Sequence, residues 1–80
     1  MLINADMKAA RFLRWHEART LLAWILSALD RGLDVYLVTA YKATKFSAKH
    51  RDYFKATRTG LYVRRGNRWE CATYSKFVAQ

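Results

Sequence analysis

Three glycines and no proline punctuate these 80 residues. Sharp turns therefore come cheaply only at Gly32, Gly60 and Gly66, and the rest must be read from side-chain pattern. Ahead of Gly32 the pattern is helical. At 100° per residue, Ala18, Leu21, Leu22, Ile25, Leu26 and Leu29 fall within an arc of about 140°, and Arg19, Thr20, Ser27 and Asp30 fall outside it. This predicts a long helix over residues 6–31, capped by Asp6 or Asn4 and ended by a left-handed Gly32. The stripe runs back through Met7, Phe12 and Trp15, but there it also takes in Arg11 and Arg14, so the first turns should overhang the core. The apolar run at 21–29 is too short for a bilayer, which needs about 20 residues, and reads as a core helix rather than a membrane segment.

On the far side of the same helix sit Leu13 and Trp24, with Ala28 and Arg31 near them. A large aromatic on a nominally solvated face suggests a contact surface, for a protein partner or a second copy of the chain. The plainer expectation is a tryptophan with one edge tucked under a loop.

Beyond Gly32, residues 35–41 (VYLVTAY) are β-branched and aromatic on both faces, as in a central strand. Residues 42–59 are less regular. Ser47 is placed to cap a short helix over 48–54, with Tyr53 and Phe54 inward and Lys49, His50 and Arg51 outward; alternatively, 53–57 pairs as a strand. Residues 61–74 form a hairpin about Gly66-Asn67. A two-residue turn would set Val63 against Glu70 and Arg64 against Trp69. A three-residue loop instead gathers Leu61, Val63, Trp69 and Cys71 on one face and Tyr62, Arg64 and Glu70 on the other, and it is the expected register. Phe46, Phe54 and Trp69 are the aromatics assigned to the core. Hydrophobic residues make up 52% of the chain, enough to hold a core. The reading is one α+β domain over 1–80: a long helix on a small antiparallel sheet, stable by roughly 3–8 kcal/mol.

Neither His16 nor His50 has a companion at ligand spacing, and the single Cys71 permits neither an internal disulfide nor a cysteine zinc site. Under the expected register Cys71 points inward and is inert, and a reducing cytoplasm fits its isolation. Ser47, His50 and Asp52 are neighbours in sequence, whereas triads are assembled from distant segments. Gly-rich phosphate loops and paired catalytic carboxylates are missing from the sequence. The expectation is a non-enzymatic protein without metal or cofactor.

Charge points to a partner. Residues 1–41 carry five Lys/Arg against four acids, whereas residues 42–80 carry ten against two. Uncompensated cations repel one another in a small fold, so such a surplus answers to an anion, most often phosphate. Aromatics alternate with these cations, the mixture that neutralises phosphates and stacks on bases. The expected nucleic-acid site is Lys42, Lys45, Lys49, Arg51, Lys55, Arg58, Tyr62, Arg64, Arg65 and Arg68, with three arginines clustered at the hairpin tip. Attachment to anionic lipid is disfavoured, since the helix stripe is committed to the core.

The order of long helix, apolar strand and C-terminal ribbon, the last reading LYVRRGNRWEC over 61–71, resembles the small accessory proteins of bacteriophages and other mobile elements. The resemblance implies action without catalysis in the host cytoplasm, by binding nucleic acid or a host enzyme, as anti-restriction and anti-CRISPR inhibitors do. Many such inhibitors are acidic mimics of nucleic acid. This basic chain departs from that pattern, so inhibition would need another contact: its cations on an acidic host protein, completed by Leu13, Trp24 and Arg31.

Overall fold

The computed structural model describes residues 3–6, 15–73 and 75–80, with side chains from Glu17 onward. One helix packs against two antiparallel sheets, in keeping with the α+β expectation. The strands are β1 (Ile3–Asp6), β2 (Val35–Val38), β3 (Ala43–Phe46), β4 (Phe54–Thr57), β5 (Gly60–Arg65), β6 (Arg68–Cys71) and β7 (Lys76–Ala79), and the helix α1 is Trp15–Asp30. Four strands form a sheet in the order β1-β7-β2-β3, and the other three form β4-β5-β6.

The described helix begins at Trp15, and the expected start at Asp6 is strand instead. Asn4 and Asp6 do not cap it; they lie in β1, opposite Val78 and Lys76 of β7. The apolar stripe through Met7 and Phe12 and the Leu13 position fall outside the described residues. Within α1, Ala18, Leu21, Ile25, Ala28 and Leu29 are buried, and Leu22 and Trp24 pack half-buried against the core. The buried arc is turned toward Trp24 relative to expectation, because α1 lies on β4 and β5 while also touching β2 and the segment before β4. At its end, the Gly32 N–H donates to the Leu29 carbonyl and the Leu33 N–H to that of Ala28, both at 3.0 Å, with Gly32 at φ +80. This is the Schellman arrangement, and Leu33 adds its usual apolar contact by packing on the core.

Strand β2 is interior to its sheet, as expected, but stops at Val38 rather than at residue 41. Thr39 ends it: its Oγ1 accepts the N–H groups of Tyr41 and Lys42 at 3.3 Å each, and its own N–H donates to the Lys42 carbonyl at 2.9 Å. A hydroxyl that supplies a turn with acceptors competes with the ladder. Tyr41 is thereby left 95% exposed.

Both readings of the basic stretch hold in part. Residues Ala48–Tyr53 form a 3-10 segment and β4 follows at once. Phe54 is buried as expected, whereas Tyr53 is exposed. His50 is half-buried rather than outward: its Nδ1 accepts the Ser47 N–H at 3.0 Å, which places the proton of the neutral ring on Nε2, and its ring meets Phe46 and Tyr53 edge-on. Phe46 of β3, Phe54 of β4 and Phe77 of β7 then join the two sheets, with centroids 4.8 and 6.4 Å from Phe54. A single cluster of buried apolar side chains results, drawn from the helix and from one face of each sheet.

Candidate nucleic-acid interface

The hairpin has the two-residue turn, not the three-residue loop. Arg65 faces Arg68, Arg64 faces Trp69, Val63 faces Glu70 and Tyr62 faces Cys71. Gly66 takes φ +60 and Asn67 does not take a positive φ, the signs of a type II′ turn. The argument from apolar segregation fails because β6 is an edge strand that contributes little to the core. Burial on the inner face comes from Phe54, Leu61 and Val63 on β4 and β5, while Glu70 reaches Arg65 at 3.5 Å instead of meeting apolar neighbours.

This register puts Trp69 and Cys71 on the outer face, contrary to their expected core positions. Both are exposed, Trp69 to 38%. Strand alternation carries Lys55, Tyr62, Arg64, Trp69 and Cys71 onto that one face, since Lys55 pairs with Tyr62 and Tyr62 with Cys71. The helix covers the opposite face, where Leu61 and Val63 are buried. Lys55 reaches across β5 to place its Nζ 4.3 Å from the Trp69 ring centroid. Arg64 bends back to the tip, its Nε donating to the Gly66 carbonyl at 3.1 Å. Arg58 is exposed in the β4–β5 turn, beside a hydroxyl chain in which Thr59 Oγ1 lies 2.9 Å from Thr57 Oγ1 and 2.6 Å from the Tyr62 hydroxyl.

The ten expected site residues are thus divided. Lys55, Tyr62 and Arg64 share the outer face and Arg58 borders it, but Arg65 and Arg68 fall on the inner-face register at the tip. Lys45 is on β3 in the other sheet, 3.9 Å from Asp34; Lys42 is exposed on the Thr39 turn; and Lys49 is exposed on the 3-10 segment. Arg51 is spent within the fold. Its Nε and Nη2 hold the two Asp30 oxygens at 2.9 and 3.2 Å, clamping the 3-10 segment to the end of α1. Hydrogen bonding from Arg51 lowers the Asp30 carboxyl below its ordinary range, and the same contact raises the Arg51 guanidinium.

Three of the nine expected cations therefore have carboxylate partners, while Lys42, Lys49, Lys55, Arg58, Arg64 and Arg68 have none among the described residues. Among the described residues, no carboxylate lies on the outer face of the three-stranded sheet. Of the expected protein-contact residues, Trp24 is packed on the core and Arg31 is exposed just past α1, with Leu13 outside the described residues. Among the described residues, no group of three or more His, Cys, Asp and Glu is placed to hold a metal, and no helix is long and apolar enough to cross a membrane. Comparison with protein families, curated proteins and solved structures gives no match.

Proposed function

We propose that this protein is a small, non-enzymatic nucleic-acid-binding domain that works in the cytoplasm, of the kind carried by bacteriophages and other mobile elements. The observation that carries the reading is the charge of Lys55, Arg58 and Arg64, without carboxylate partners, on and beside a sheet face that among the described residues has no carboxylate and no covering helix. Asp30, Asp34 and Glu70 are engaged elsewhere, by Arg51, Lys45 and Arg65. Exposed cations held by a rigid ladder attract phosphate and release its counterions, a gain that depends little on base sequence.

Anisotropy of labelled DNA and RNA, titrated between roughly 50 and 200 mM salt, tests the reading. Three phosphate contacts give a slope of log K against log salt of about −2 for single strands and about −3 for duplex. Absence of binding at the lowest salt would refute it and leave the cationic face to an acidic host protein.

A further inference from the structure

The open face of β4, β5 and β6 carries aromatic surface as well as charge. Trp69 lies two residues along β6 from Cys71, the partner of Tyr62, so the two rings are diagonal neighbours on one face. Such positions are roughly 7–8 Å apart, within reach of long or aromatic side chains. The Tyr62 ring is held in place through its hydroxyl by Thr59 at 2.6 Å. The indole, 38% exposed, has the Lys55 ammonium above it.

A duplex keeps its base faces inside its own stack and offers such a surface only phosphates, whereas a single strand offers bases and phosphates together. Resting on the nucleic-acid reading above, we infer that the ligand of this face is a single strand, with one base stacked on Trp69, its neighbour on Tyr62, and the Lys55 ammonium transferred from the indole to a phosphate. The exchange favours the ligand. An exposed cation over an aromatic ring is worth roughly two- to fivefold in an equilibrium constant, and a base stacked on an aromatic side chain roughly 5- to 100-fold. Arg64 and Arg58 flank the two rings and meet the phosphates on either side, and among the described residues no carboxylate on the face opposes them.

The test compares oligo(dT), oligo(U) and a duplex of equal length at one salt concentration, using the wild type, Trp69→Ala, Trp69→Phe and Tyr62→Phe, with circular dichroism to show that each variant is folded. The expected result is tighter binding of at least one single strand than of the duplex. Trp69→Ala should lose roughly 5- to 100-fold on that strand while leaving its salt slope and the duplex affinity unchanged, and Trp69→Phe and Tyr62→Phe should retain most of it. Duplex binding as tight as single-strand binding, or an unchanged single-strand affinity in folded Trp69→Ala, would overturn the inference while leaving nucleic-acid binding intact. Failure of all three polymers to bind would remove the underlying reading as well.

Discussion

Replacing Gly60 by alanine should be the most damaging single-methyl change in the protein, and its cost follows from two contacts. Gly60 is buried at the start of β5 with φ +137, a conformation that L side chains rarely adopt. A Cβ there would collide with Thr73 Oγ1, with the Thr73 Cβ also only 3.3 Å away. Thr73 has little room to yield: it is 3% exposed, and its Oγ1 accepts the Leu61 N–H at 3.3 Å and the Cys71 thiol at 3.1 Å. Backbone strain of about 1–3 kcal/mol adds to about 1–3 kcal/mol for leaving the buried Leu61 N–H unsatisfied when the hydroxyl is pushed away. The total, about 2–6 kcal/mol, is a large share of the roughly 3–8 kcal/mol available to a chain of this length. At about 4–8 °C per kcal/mol, the melting temperature should fall by tens of degrees. Urea unfolding of Gly60→Ala, Thr73→Ala and the double variant separates the causes. Thr73→Ala alone should cost about 1–3 kcal/mol, and in the double variant the collision is gone and the Leu61 N–H is lost only once, so its loss should fall short of the sum by about 1–3 kcal/mol. A Gly60→Ala protein within about 0.5 kcal/mol of wild type, or a strictly additive cycle, would refute the reasoning.

Two further outcomes follow from the register and from the ion pair. Cys71 is exposed on the outer face, so a thiol reagent should label it in the native protein without unfolding; protection released only on unfolding would restore the three-residue loop with an inward cysteine. Asp30, held by Arg51, should titrate below its ordinary 3.8 in a carboxyl NMR titration, and Arg51→Gln should bring it back. Because the folded-state value is the lowered one, the stabilisation is in place above the ordinary value and disappears as pH falls through the lowered midpoint. A midpoint at or above 3.8 in the wild type would contradict the bidentate contact.

The parts of the fold legible in the sequence are those governed by a strong local pattern. Ala18, Leu21, Ile25 and Leu29 announce the helix and Gly32 its end, because a buried stripe and a left-handed stop leave few alternatives. Strands β1, β3 and β7 were not legible. Each is only four residues long, and β1 and β7 meet from opposite ends of the chain, a pairing that no local window contains. The hairpin register is not legible for a related reason: alternation fixes register only where both strands bury a face, and β6 leaves Trp69 exposed. The partners of the cations were likewise tertiary facts, since Asp30 and Arg51 are 21 residues apart. The signal for Trp69 was present in its cross-strand neighbour: the two-residue turn sets it opposite Arg64, a position that a buried aromatic would not share.

In the proposed function, the cations of one sheet face, and not the overall charge of +9, form the binding site. Two charge-matched triple variants decide it: Lys55→Gln/Arg58→Gln/Arg64→Gln on and beside the face, and Lys42→Gln/Lys49→Gln/Lys76→Gln away from it. The account predicts that the first flattens the salt slope for oligonucleotide binding by about 2–3 units and the second by less than about half a unit. Equal losses from both variants would show a diffuse field without a site and would contradict it.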